Sequence, residues 1–404
     1  MQYQMLPKVY YQNRSHYEEE VRLRKTSDAS VDLAFQVHGD DAFYMVVPEL
    51  LRQQGKIYKE YLEFINVFQR LPAVAQECYC RKCLIDEIVL TNDLEGVHSS
   101  RRDVLDVLQT ESKEKTDSRF DGLVRKYCML IEDARNAEIS LDSLQDIRDL
   151  YDEIVLPEIK PTDHPDGLYF RTGSVSVCTV TDKVKHQGIS GEENINEHMR
   201  RMLAILKEEQ HADISKIAIA HYMFGYVHPF YDGNGRLSRF ISSYLLAKTF
   251  NPIVAYRLSY TIKQNKSLYY DAFDYVNDRH SSGDVTPFIL VFSELVCKSI
   301  ESLTERVTSG SEQLAYYWNL IKGLRNKELQ KLLYYFIQNA LFSPDPFTIR
   351  ELVQISEKSD PTVRKNINTL KEHGIPIIVT KHGYMYEYQL ELDTLPEVLE
   401  NCNL

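Results

Sequence analysis

A chain of 404 residues, 43% apolar and 26% charged, has the make-up of an ordinary folded protein of about two or three domains. Forty-seven basic against 59 acidic residues leave a net charge of −12, so the chain as a whole repels nucleic acid and anionic membrane, and any anion it binds needs a local cluster. No signal peptide is visible at the N-terminus, no apolar run approaches a membrane span, and seven cysteines without paired spacing fit a reducing cytoplasm.

Residues 1 to about 45 carry little periodic signal beyond short strand-like runs. From Pro48 to Glu95 the pattern is helical, with Leu50, Leu51, Tyr58, Leu62 and Phe68 recurring at three- and four-residue steps. Cys78, Cys80 and Cys83 fall within it. No second Cys/His group accompanies them, so they read as small apolar residues rather than metal ligands. The polar run Thr110 to Ser118 reads as a loop, and helix resumes to about Ile154. Tyr169 to Val180, β-branched and punctuated by glycine, reads as a hairpin. Ser190 and Glu193 have capping-box spacing for a helix through Leu206. Ile214 to Val227 is a further helix broken by His228-Pro229, and another opens at Gly235 and runs to about Lys248. From Thr348 the order is helix, turn, helix, then two strands joined at His382-Gly383. Pro361 suits the first turn of the second helix and Gly374 its end. That segment resembles a winged helix-turn-helix module.

The stretch "VHPFYDGNGRLSR", Val227 to Arg239, holds the densest chemistry. Gly233-Asn234-Gly235 before a helix lets main-chain N–H groups approach a ligand at the positive end of the helix, which makes an anion nest. Arg236 and Arg239, three residues apart, project to one side of the first turn, and the arginine fork matches phosphate oxygens. Asp232 beside a phosphate site suits Mg²⁺, which joins a carboxylate to substrate phosphates. His228 then serves as a general base near neutral pH. The P-loop lysine is missing, so the stretch reads as a polyphosphate site of another kind.

His228 to Arg239 matches His-x-Phe-x-Asp-Gly-Asn-Gly-Arg-x-x-Arg at every defined position, and so resembles the signature of the Fic family. The wider helical context is similar from about residue 50 to 300. The resemblance implies AMP transfer from ATP to a Ser, Thr or Tyr hydroxyl of a target protein, and of the chain itself. It implies that His228 takes the hydroxyl proton and that Asp232 holds Mg²⁺ between the α- and β-phosphates. It further implies that Gly233, Asn234 and Gly235 cradle phosphates, that Arg236 and Arg239 balance their charge, and that Phe230 anchors the loop. "TNDLEG", Thr91 to Gly96, resembles the family's inhibitory motif, in which the glutamate, here Glu95, pairs with the second arginine, here Arg239, and blocks the γ-phosphate. Glu95 in a last helical turn capped by Gly96 is also poorly placed against the helix dipole, which invites a cationic partner. The resemblance further implies a target-docking flap at Ser176, Val177, Cys178 and Thr179, and nucleotide contacts from Tyr270 and Asn277. The flap lacks the paired prolines often found after it and has His186-Gln187-Gly188 instead.

The expectation is a mainly α protein: a Fic-type helical bundle with a short β-hairpin flap and a C-terminal winged helix-turn-helix domain. The expected divisions are 1–110, with the inhibitory helix, 111–300, the catalytic core, 301–344, a helical connector, and 345–404, the winged module. The expected function is that of an autoinhibited cytoplasmic protein adenylyltransferase with ATP as co-substrate. No membrane partner is expected, and a homo-oligomer is left open. One rival is a transcriptional regulator with a nucleotide-sensing core. Residues 345–390 hold six basic and six acidic residues, while Arg364, Lys365 and Lys371 in the second helix face only Glu372, so DNA binding would be weak and protein docking equally suitable. The other rivals are a Fic enzyme using another nucleotide, or one removing AMP with Glu95 positioning water.

Overall fold

The computed structural model describes residues 3–109, 120–133, 139–178, 184–382 and 385–400, and it is mainly helical. The polar run expected as a loop at 110–118 and the strand turn at Gly383 lie outside the described residues. The N-terminal region is more regular than its sequence suggests, with α1 (Leu6–Gln12), α2 (Arg14–Lys25) and a hairpin of β1 (Ser30–Val37) and β2 (Asp40–Met45). His38 and Gly39, both at positive φ, form the two-residue turn that the twist of a hairpin favours. Arg24 pins the helices down through the chain: it meets Asp284 at 3.1 Å and the Gln4 carbonyl at 2.7 Å. A partner such as Asp284, 260 residues away, has no local signature.

The expected helix from Pro48 to Glu95 is two helices, α3 (Pro48–Phe68) and α4 (Ala73–Leu94). Its buried stripe also differs, being Leu50, Ile57, Phe64 and Phe68, while Leu51, Tyr58 and Leu62 are exposed. Steps of seven and four residues select one side of α3, and the expected set mixed two sides. Then follow α5 (Arg101–Gln109), α6 (Asp121–Asp133) and α7 (Leu144–Ile154), a short 3-10 turn at Leu156–Glu158, and a small antiparallel hairpin of β3 (Ser176–Cys178) and β4 (Val184–Gln187).

Next come α8 (Glu192–Lys207), α9 (Asp213–Val227) and α10 (Asn234–Thr249), with α9 packed between the other two. Apolar residues surround α9, and all of it from Ile214 to Val227 is buried except Lys216 and Gly225, as a helix without a polar face must be. The expected capping box of α8 is not formed. Gly191 is the N-cap, Ser190 Oγ instead meets Ser174 Oγ, and no side chain caps the first turn. The helices α11 (Pro252–Ala255), α12 (Leu258–Gln264), α13 (Lys266–Val276) and α14 (Thr286–Ile321) follow.

The chain divides into two units, Met1–Tyr61 with Leu84–Ile300, and Leu62–Cys83 with Glu301–Leu404. The second holds α15 (Lys327–Phe342), β5 (Phe347–Thr348), α16 (Ile349–Ser356), α17 (Asp360–Glu372), β6 (Ile377–His382), β7 (Met385–Leu390) and α18 (Leu395–Glu400). Its strands pair in the order β5-β7-β6, with α16 and α17 adjoining and both packed against neighbours in this unit. Thr348 and Glu351 cap α16 reciprocally, Pro361 lies in the first turn of α17, and Gly374 at φ +84° ends it.

Candidate active site

The end of α9 and the start of α10 bring the signature together. His228 is the C-cap of α9, with φ 53° and ψ 62°, a left-handed conformation rare for a residue with a side chain. Pro229 stops the helix from continuing. Phe230 is buried, stacked on Tyr151 of α7 with ring centroids 3.7 Å apart, and edge-on to Phe170. Asn234 clips the loop from both sides: its Oδ1 accepts from the Phe230 N–H at 2.9 Å, and its Nδ2 donates to the Phe230 carbonyl at 2.8 Å. The sequence assigned Asn234 to phosphate cradling alone. In the structure its side chain is committed to holding the loop.

Gly233 is the N-cap of α10 at φ +78°, and a Cβ there would strike Val155. The first helical bond runs from Leu237 N–H to the Gly233 carbonyl at 3.2 Å. The N–H groups of Asn234, Gly235 and Arg236 therefore head the helix with no helical acceptor, which is the makings of an anion site. Asp232 is exposed on the loop, and its Oδ1 accepts from the Gly233 N–H at 2.6 Å. No other donor among the described residues reaches its carboxylate, and no cluster of three His, Cys, Asp or Glu groups occurs among them. A single exposed carboxylate fits Mg²⁺ held mainly by phosphate and water, and does not fit a metal held by protein alone.

The two arginines are both buried, and each meets a carboxylate from outside the signature. Arg239 Nη1 lies 2.9 Å from Glu95 Oε1. Its Nε donates to Thr91 Oγ1 and its Nη2 to the Thr91 carbonyl, both at 2.8 Å. The end of α4 places Glu95. Val97 N–H bonds the Asn92 carbonyl at 3.0 Å and Gly96 N–H the Asp93 carbonyl at 3.1 Å, a Schellman closure with Gly96 left-handed at φ +71°. The Glu95 carboxylate rests directly on the Cα of Gly235, where any side chain would displace it.

Arg236 Nη1 meets Glu158 Oε2 at 3.0 Å, and both side chains are almost fully buried. Glu158 ends the 3-10 turn after α7, and the chain just before that turn supplies Tyr151 of α7 and Val155 to the loop. Removing one partner of a buried pair leaves an uncompensated charge, so Glu158→Ala is expected to lower stability by about 3–5 kcal/mol. A urea titration of both proteins measures it, and a loss below about 0.5 kcal/mol would show that the pair bears no weight in the fold.

Burial pushes the His228 ring down to about 4, with Arg171 and His186 adding to the effect while the Gly225 carbonyl and Glu95 oppose it. The ring is thus neutral at physiological pH, the state a base requires. Tyr270 lies within electrostatic reach of Arg239 and Glu95, and burial raises its phenol. Asn277 accepts from the buried Tyr222 hydroxyl at 2.8 Å. In the hairpin, Ser176 faces Gln187, Val177 faces His186 and Cys178 pairs with Val184, while Thr179 lies outside the described residues. Sequence reasoning missed Tyr151, Val155, Glu158 and Arg171. Each is a common residue type at an unremarkable position, and only the fold brings it to the loop.

No described helix is long and apolar enough to cross a membrane. Residues 140–246 match the Fic/DOC family. The protein adenylyltransferase Fic of Drosophila grimshawi is 32% identical over 106 residues, which are 26% of this chain and 20% of that protein. Its counterpart in Aedes aegypti is 33% identical over 84 residues, or 21% and 15% of the two. The match thus spans about a fifth or less of these relatives' length. A solved Fic family protein from Desulfovibrio desulfuricans G20 superposes with a TM-score of 0.51 at 17% identity, covering 86% of this chain and 98% of that one. The chain therefore carries a segment similar to the Fic/DOC family within a fold similar to that of a solved Fic family protein.

Proposed function

We propose that this chain is a protein adenylyltransferase that moves AMP from ATP to a hydroxyl of a target protein, and that Glu95 restrains it. The observation that carries the reading is the loop from His228 to Arg239. A neutral histidine at the end of one helix stands beside the open N–H groups of the next, with a fully buried arginine beneath. In the reaction the acceptor oxygen forms a bond to the α-phosphorus, the bond from that phosphorus to the β-phosphate bridge breaks, and pyrophosphate leaves. His228 takes the hydroxyl proton. The head of α10 and Arg239 bind the phosphates and orient the α-phosphate for in-line attack. Mg²⁺, held by Asp232 when bound, would neutralise phosphate charge. Tyr270 and Asn277 border the nucleotide in this reading, and Ser176 to Thr179 dock the target main chain as an added strand.

The C-terminal module is, in the same proposal, a winged helix that docks protein rather than DNA. Arg364, the first basic residue of α17, is taken up by Asp360 of its own helix and donates to the Tyr388 hydroxyl at 3.1 Å, which weakens the claim of a basic recognition face. The test is incubation with magnesium and ATP labelled at the α- or the γ-phosphate. The α-label is expected on the chain itself and on a target. Absence of α-label from wild type and from a Glu95→Gly variant would defeat the proposal.

A further inference from the structure

Arg171 lies in the segment between α7 and β3, far in sequence from the phosphate loop, and is fully buried. Among the described residues its guanidinium donates to main-chain carbonyls alone: Nε to His228 at 2.8 Å, Nη1 to Gly173, and Nη2 to Ile189 at 2.8 Å and Val227 at 3.2 Å. Its own N–H donates to the Pro229 carbonyl at 3.1 Å. Burying a guanidinium with no carboxylate in ion-pair contact among the described residues is costly, and the burial lowers its pKa, with Tyr231 and Asp166 opposing the effect. A methionine could fill the space more cheaply. What an arginine adds is a rigid planar fork with donors enough for carbonyls converging from several directions.

Those carbonyls belong to three segments. Gly173 lies just before β3, Ile189 just after β4, and Val227 and His228 close α9. His228 needs such restraint, because a left-handed backbone costs a residue with a side chain about 1–2 kcal/mol and persists only where its surroundings over-determine it. Gly188 completes the crowding: a Cβ there would lie 2.6 Å from Arg171 Nη2 and 3.0 Å from the His228 Cβ.

We propose that Arg171 is a positioning residue that sets the backbone geometry aiming His228 and ties both stems of the β3–β4 hairpin to it. The proposal deepens the transferase reading and rests on it: the strand that would present the acceptor hydroxyl and the base that would take its proton are held in one frame. Arg171 touches neither nucleotide nor acceptor and acts through the main chain.

The test is Arg171→Lys, which keeps the charge but cannot span the converging carbonyls, beside Arg171→Gln, which keeps neither. For the lysine variant kcat for AMP transfer is expected to fall about 10- to 100-fold, the scale of a misplaced catalytic group, with the KM for ATP within about twofold of wild type. Amide hydrogen exchange is expected to quicken in residues 171–175, 188–190 and 227–230 and to stay unchanged in α10. The glutamine variant loses at least as much, and if it does not fold the lysine variant decides. A wild-type kcat in Arg171→Lys, a KM for ATP that rises in step with the loss, or faster exchange spread over the whole catalytic unit overturns the proposal. Absence of AMP transfer from both the wild type and Glu95→Gly would defeat the transferase reading instead, and the exchange pattern would still decide whether Arg171 holds His228.

Discussion

Replacing Glu95 by glycine is expected to raise AMP transfer about 10- to 100-fold. A hydrogen bond between charged groups is worth about 1.5–3 kcal/mol, and each 1.4 kcal/mol is a factor of ten. In the present arrangement the carboxylate occupies Arg239 Nη1 at 2.9 Å and lies across Gly235, at the head of the helix where phosphates would bind. An ATP tail must displace it, against charge repulsion as well as lost pairing. Glycine removes the competitor at little structural cost, because position 95 is the last before the left-handed Gly96 and no longer makes the helical ladder. Glu95→Asp, one methylene shorter, should give an intermediate rate. Arg239→Ala should stay low with or without Glu95, since the phosphate loses its partner in either background. A side-by-side labelling assay of these variants and the double mutant measures this. Equal or lower transfer by Glu95→Gly would end the restraint reading and leave the transferase reading standing.

His228→Ala is expected to lower transfer about 10²–10⁴-fold while ATP still binds, because the α10 amides and Arg239 remain. The same ring predicts a pH profile. With its pKa lowered to about 4, the histidine is neutral across the range in which an ordinary imidazole, near 6.5, begins to protonate. Between pH 8 and 5.5 the rate should therefore fall by less than about twofold, where an unperturbed ring would lose about tenfold. Wild-type rates in the alanine variant would remove His228 from the chemistry. A tenfold acid loss in the native protein would show that the ring is not shielded.

The helices α9 and α10 were legible because they are long and their boundaries coincide with His228-Pro229 and the Gly-Asn-Gly turn. The residues of the phosphate loop were legible because they are chain neighbours, so their spacing already implies their geometry. The supports of that loop were not. Glu158 meets Arg236, and Arg171 meets His228, across 78 and 57 residues, and no local pattern distinguishes either from any surface charge. The cap of α8 failed for a related reason. Ser190 and Glu193 had the spacing, but Gly191 at φ +83° turns the chain so that the helix starts one residue later. Glu192 of the same first turn is instead drawn to the N–H groups of Leu168, Tyr169 and Phe170, partners that the sequence does not place nearby. The N-terminal helices were hidden because short helices depend on tertiary anchors such as Arg24–Asp284 more than on propensity.

The grip of Thr91 on Arg239 has a consequence for speed. A long side chain released from its partner ordinarily regains rotational freedom worth about 0.5–1.5 kcal/mol, and must be collected again by the next ligand. Here Nε and Nη2 stay fastened to the Thr91 hydroxyl and carbonyl whatever becomes of Glu95. Exchange of one anion for another at Nη1 then takes place on a stationary guanidinium. How fast the site switches is then governed by the release and swing of a single glutamate side chain at a helix end, a local motion that needs no rearrangement of the arginine.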